Sequence, residues 1–145
     1  MNYKVKQATT DTELKNILQL RYDVLRKPWN QTIETAIDNL ENSSVNAFIE
    51  DTNGLVIACA RLQENENKVA QIRFMAVSQL HQGKGLGKLI LQFLEEKAKE
   101  KNLKEIQLQA RENAVNFYKS CNYNVKEKSF LLWNQIQHWL MTKEI

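Results

Sequence analysis

Of the four glycines in the chain, three fall within five residues, in the run Gln82, Gly83, Lys84, Gly85, Leu86, Gly87, with Lys88 next. Glycine tolerates positive φ and lets backbone approach a ligand closely. This run stands between an apolar, strand-like segment and a strongly amphipathic, helix-like one. Successive N–H groups at the start of a helix form a nest for an anion, and the helix dipole reinforces it. Lys84 and Lys88 sit at the same end, where the dipole by itself disfavours cations. A bound anion accounts for glycines and lysines together, whereas a plain glycine-rich connection needs two coincidences.

Spacing narrows the choice of anion. A Walker-type phosphate loop requires GxxxxGK[ST], but Gly87 and Lys88 are followed by Leu89. The dinucleotide fingerprint GxGxxG also fails, because the third glycine comes one residue early.

The elements that position the loop follow from periodicity. Residues 3–8 alternate as a first strand, and Asp11 is a helix N-cap with Leu14, Ile17, Leu18, Tyr22 and Leu25 at helical spacing. Pro28 ends that helix, and 32–40 forms a second, short one. Strands at 45–50 and 55–62 flank Asn53-Gly54, the strongest short hairpin signal. A polar turn at 64–68 leads to a strand at 69–77, completing an antiparallel meander. After the glycine loop, Leu86, Leu89, Ile90, Phe93, Leu94 and Ala98 trace one helix face, and Ile106, Leu108 and Ala110 alternate in a strand. Strand, helix, strand makes these two strands parallel neighbours. A short helix at 113–120, strand material at Val125 and 129–132, and a strand at 137–141 that closes the sheet complete the chain. The expected class is α+β with a mixed, mostly antiparallel sheet.

Composition bounds the function. The 145 residues fit one domain, spanning 1–145, and suffice to bury a core unaided. A net charge of +3 suits a polyanionic ligand but does not argue for nucleic acid. The pI of 8.8 and the lysines at 97–104 are offset by interleaved Glu95, Glu96, Glu100 and Glu105, so no nucleic-acid partner is expected. No apolar run approaches the roughly 20 residues of a membrane helix, and the chain opens without an apolar leader. A cytoplasmic protein without a membrane partner is the expectation. Cys59 and Cys121 belong to no CxxC pair, so no metal site is expected.

The spacing that fits the loop is Gln-x-x-Gly-x-Gly, at Gln82, Gly85 and Gly87. It resembles motif A of the GNAT superfamily of N-acetyltransferases. The order strand, loop, helix, strand, helix across 69–123 is similar to the family core, and so is the phrase Asn113-Ala114-Val115-Asn116-Phe117-Tyr118. The phrase Leu20-Arg21-Tyr22-Asp23-Val24-Leu25-Arg26-Lys27-Pro28, and His138 on the last strand, resemble an uncharacterised bacterial branch.

The resemblance implies helices on both sheet faces and a splayed parallel strand pair, here 72–77 and 106–110. Acetyl-CoA lies in that splay as cosubstrate. Backbone of Met75, Ala76 and Val77 meets its pantetheine arm, and Gln82, Gly83, Lys84, Gly85, Leu86, Gly87 and Lys88 take the pyrophosphate. Asn113 and Phe117 are further cofactor contacts. The implied reaction is direct attack of a primary amine on the thioester in a ternary complex, with a backbone N–H near Met75 or Ala76 as oxyanion donor. Tyr118 matches the family's tyrosine, the acid for the leaving thiolate; a core or cofactor-packing tyrosine is the bland alternative.

Two departures stand out. Many members carry a glutamate base on the strand before the loop, but Gln71-Ile72-Arg73-Phe74-Met75 holds no carboxylate. His138 is then a candidate base, because histidine titrates in the right range; a structural histidine is the alternative, and Glu34, Glu41 and Glu64 have no positional argument. The family's asparagine seven residues before the tyrosine is replaced by Arg111, with Asn113 two residues on. Arg111 continues a polar row with Gln107 and Gln109 that lines the acceptor side, meets the cofactor, or is an exposed polar sheet face. The acceptor is a small-molecule or protein amine, with Tyr22, Arg26, Trp29, Phe130, Trp133 and Trp139 as pocket candidates. A homodimer through the last strands is a further expectation. The competing reading is a catalytically silent CoA-binding sensor module.

Overall fold

The computed structural model describes residues 2–145. Seven strands form one sheet: β1 (Lys6–Gln7), β2 (Val45–Glu50), β3 (Val56–Glu64), β4 (Val69–Val77), β5 (Glu105–Arg111), β6 (Asn124–Leu132) and β7 (Ile136–Glu144). Their spatial order is β1-β2-β3-β4-β5-β7-β6. The β4–β5 pair is parallel and every other neighbouring pair is antiparallel. The helices are α1 (Asp11–Arg21), α2 (Leu86–Glu100) and α3 (Val115–Ser120).

The period of two in the strands sorts the core onto the two sheet faces. Val45, Ala47, Ala58, Ala60, Ala70, Ile72, Leu108 and Ala110 pack with Leu86, Ile90, Leu94 and Ala98 of α2. Phe48, Val56, Cys59 and Ala76 pack with Ile17 and Leu20 of α1. Each fully buried valine, leucine, isoleucine or phenylalanine among them contributes about 1.5–3 kcal/mol through removal of apolar area from water. The mixed sheet with helices on both faces is the expected α+β class.

Several local expectations are corrected. Thr10, not Asp11, caps α1: its hydroxyl accepts from the Glu13 N–H at 3.1 Å, while Glu13 accepts from the Thr10 N–H at 3.0 Å. This reciprocal box satisfies two N-terminal donors at once, which Asp11 could not do. The first strand pairs only at Lys6–Gln7. The segment 32–40 is not a helix but a single 3₁₀ turn, Ile33–Ala36, followed by extended backbone at Ile37. Its carbonyls are taken by arginines: Thr35 O accepts from Arg26 Nη2 at 3.2 Å and Ala36 O from Arg21 Nη1 at 3.0 Å. The last strand does not close the sheet; β7 inserts between β5 and β6. It carries buried Ile136, His138 and Met141, whereas β6 is largely exposed and takes the edge.

Behind α1 lies a buried ionic cluster. Glu41 Oε2 accepts from Arg21 Nη1 at 3.0 Å and Arg61 Nη1 at 2.8 Å, and Asp38 bridges Arg61 and Arg73 at 2.7 and 3.0 Å. The Arg61 hydrogen bond, first among the causes, holds the Asp38 carboxyl down at about 2. Removing one partner of a buried pair strands the other's charge. Glu41→Gln should therefore lower the unfolding free energy by about 3 kcal/mol, read from the urea midpoint; an unchanged midpoint would show that the cluster is not holding the fold.

Candidate functional site

The β4–β5 ladder runs from Val69↔Glu105 to Ile72↔Leu108 and stops, although β4 continues to Val77 and β5 to Arg111. The cause lies in β4. Phe74 has φ 57, and the pairing with β3 shifts register between Cys59 and Arg61. A bulge of this kind bends its strand and adds twist, so β4 turns away from β5. The resulting cleft has a volume of about 920 Å³. The cleft-side backbone of 73–77 has no strand partner there, and such groups require one.

At one end of the cleft stands the N-terminus of α2. Gly83 and Gly85 both have φ 79, and Gly85 caps the helix without a side-chain hydrogen bond. A Cβ at either glycine would meet nothing within 4 Å, so the glycines serve backbone conformation and leave an open cradle. Gly87 serves close approach instead: a Cβ there would lie 2.9 Å from Phe117 Cζ. The bare N–H groups of the first helical turn and the open cradle fit a pyrophosphate.

The expected cofactor residues divide. Met75, Val77, Gln82, Gly83, Gly85, Leu86, Gly87, Asn113 and Phe117 line the cleft. The Ala76 side chain packs on the opposite face with Ile17 and Phe48, leaving only its backbone for the cleft. Gln82 Nε2 donates to Val77 O at 3.4 Å. Lys84 and Lys88 are exposed beside the loop and are not among the lining residues.

Tyr118 is buried and lines the cleft, edge-on to Phe117 with ring centroids 5.0 Å apart. Burial, and then Cys121, pushes its phenol well above the ordinary range. His138 is also buried and lines the cleft. Its ring stacks on Phe130 at 4.4 Å, and Nδ1 lies 3.0 Å from Ile136 O. With Nδ1–H donating to that carbonyl, Nε2 keeps its lone pair. Desolvation, and more weakly the charges of Arg111 and Arg26, lower the His138 pKa. Arg111 pairs directly with His138 across β5 and β7, so both side chains share a sheet face. Tyr118 packs with Leu108 and Ala110 on the other.

Of the pocket candidates, Arg26, Trp29 and Phe130 line the cleft, whereas Tyr22, Trp133 and Trp139 do not; Trp133 instead stacks on Arg26 at 5.1 Å. Glu41 is spent on the ionic cluster, and Glu34 and Glu64 are exposed away from the cleft. Sequence reasoning missed Arg73, Phe74 and His81, all of which line it. Four guanidinium groups surround the Phe74 ring, with Arg21 at 4.4 Å, Arg73 at 4.6 Å, Arg61 at 5.0 Å and Arg26 at 5.8 Å. The available signal was an arginine set inside each apolar run at 21, 61 and 73, since buried charges need partners.

A mixed sheet splayed at its parallel pair, with a glycine nest at the mouth, defines the GNAT fold of acyl-CoA-dependent transferases. The chain belongs to the Acetyltransferase (GNAT) family, whose sequence model matches residues 13–123. The uncharacterised N-acetyltransferase YjcF of Bacillus subtilis (strain 168) is 30% identical over 138 residues, covering 94% of this chain and 96% of the relative. A solved structure from Lactobacillus plantarum, assigned as an N-acetyltransferase, superposes with a TM-score of 0.87 at 18% identity, covering 99% of each chain. An aminoglycoside 6′-N-acetyltransferase complexed with coenzyme A superposes at 0.81 with 10% identity, covering 97% of this chain and 96% of that one. These structural likenesses carry the fold.

The positive φ at Gly85 sets a test of the cradle. Gly85→Ala should destabilise the protein by about 1–2 kcal/mol, the cost of a left-handed L-residue, measured by chemical denaturation. No change would mean that the loop is free to abandon this conformation.

Proposed function

We propose that this protein transfers the acetyl group of acetyl-CoA to a primary amine by direct attack in a ternary complex. The observation that carries the reading is the β4–β5 splay, whose unpartnered strand edge leads away from the bare N-terminus of α2. Backbone of Met75, Ala76 and Val77 offers hydrogen bonds to the pantetheine arm. The first turn of α2, with the loop at 82–88, offers N–H groups and lysine charge to the pyrophosphate. Asn113 and Phe117 flank it.

The reaction forms a C–N bond and breaks the C–S bond of the thioester. A backbone N–H near Met75 or Ala76 donates to the developing oxyanion. The amine proton passes to His138 Nε2, directly or through one water. The leaving sulfur takes its proton from Tyr118, whose raised pKa keeps the phenol protonated beforehand and draws a proton back from solvent afterwards, while His138 releases the amine proton to solvent. Acid and base approach from opposite sheet faces.

Two variants test the roles. Tyr118→Phe should slow turnover by at least about tenfold, followed as thiol release over an amine panel; unchanged kinetics remove the tyrosine from the chemistry. For His138 the sign follows from its lowered pKa: the ring is neutral and basic at pH 7, and activity is lost as pH falls through a midpoint below the ordinary 6.5. His138→Gln should reduce kcat at pH 7 by about a hundredfold and abolish that acid limb. A surviving limb would assign it to another group. Tight acetyl-CoA binding without turnover of any amine would leave a silent CoA-binding module.

A further inference from the structure

The acceptor end of the cleft holds more positive charge than the protein neutralises. Arg21 and Arg61 are fully buried and committed to Glu41, Asp38 and Asn46, and Arg73 is paired with Asp38. Arg26 and Arg111 have no carboxylate among the described residues. Arg26 Nη1 and Arg111 Nη2 instead both donate to the same carbonyl, Leu25 O, at 3.1 and 3.0 Å, and Arg26 Nη2 donates to Thr35 O at 3.2 Å. One neutral oxygen therefore holds two cations together. Arg26 is only 8% exposed, lines the cleft, and its Nε has no hydrogen-bond partner. The lining residues include Arg26, Arg73 and Arg111 but no aspartate or glutamate.

From this geometry we infer that the acceptor amine carries an anionic group, carboxylate or phosphate, close to its nitrogen, and that Arg26 and Arg111 hold that group. This rests on the acetyltransferase reading and specifies its substrate class. Arg111, with Nη2 on Leu25 O, offers its Nη1 and Nε to an anion, and Arg26, with both terminal nitrogens on carbonyls, offers its Nε. Arg111 sits opposite His138 in the ladder, so an anion on the arginine pair leaves the attached amine near the proposed base. Those cations also disfavour the ammonium form of the amine and favour the free nucleophile. A polycationic acceptor would meet like charge with no carboxylate to offset it.

Binding to the CoA-loaded protein tests the inference without turnover. N-acetyl-β-alanine, its carboxamide, N-acetyl-O-phosphoethanolamine and N-acetylpropylamine would be titrated by calorimetry. The carboxylate or the phosphate should bind at least about tenfold more tightly than the neutral pair, and whichever is tighter names the anion. That preference should collapse in Arg111→Gln and in Arg26→Gln; Arg111, less buried, covers the case in which Arg26→Gln fails to fold. Equal binding of charged and neutral ligands overturns the inference. So does a loss of acetyl-CoA affinity, in place of acceptor affinity, in the arginine variants. Selective anion binding with no amine ever acetylated supports the anion subsite and overturns the catalytic reading instead.

Discussion

A parallel strand pair that stops pairing halfway presents the chain with a problem of unsatisfied backbone. Beyond Ile72 and Leu108, β4 and β5 diverge, and water or a ligand must supply the missing hydrogen bonds. The divergence is enforced by one residue in an unfavourable conformation. Phe74 at φ 57 costs energy that a glycine there would not. The return comes from its ring, which sits among the guanidinium groups of Arg21, Arg26, Arg61 and Arg73. A glycine would relax the backbone and remove the ring around which those arginines collect. Bulge, splay and arginine cluster are thus one construction.

The electrostatics of that construction follow from burial. Asp38 and Glu41 balance the innermost arginines, and Arg73 is tied to Asp38. The uncompensated charge is thereby displaced toward the cleft. Desolvation first, and then the neighbouring Arg111, Arg73 and Arg21, lower the Arg26 pKa to about 10. The same field acts on His138, whose pKa falls through desolvation and then through Arg111 and Arg26. A positive environment that keeps an imidazole neutral is consistent with its proposed use as a base.

The elements that frame the glycine loop were legible in the sequence because their determinants are local. The helix face from Leu86 to Ala98, the alternation in β5 and the glycine spacing each lie within a few turns of chain, and the fold kept them. The arginine-rich end of the cleft was not legible, because its contacts are long-range. Arg21 meets Glu41 and Asn46, Arg73 meets Asp38, and Arg111 meets the carbonyl of Leu25. No periodicity reports such pairs. The misread segment at 32–40 fails for the same reason, since arginines from elsewhere take the carbonyls a helix would have used. Phe74 gave no warning at all, because an aromatic residue in a strand reads as ordinary β structure.

The two halves also differ in how freely they can change. The cradle depends on backbone conformation at Gly83 and Gly85 and on the close contact between Gly87 and Phe117, so few substitutions leave it intact. The proposed acceptor wall is assembled from side chains on the segment after α1, the bulged end of β4, the ends of β5 and β7, and the β6 edge. These segments share few backbone constraints with the loop. Exchanging Arg111, which is not among the arginines around Phe74, for a neutral residue changes the charge offered to a proposed acceptor without touching the glycine nest or the bulge. A fold arranged in this way holds one acyl donor while its acceptor varies. On the proposed reading, the missing strand carboxylate belongs with an anionic acceptor: a glutamate beside the splay would stand near Arg73 or Arg111 and offset the charge that Arg26 and Arg111 present.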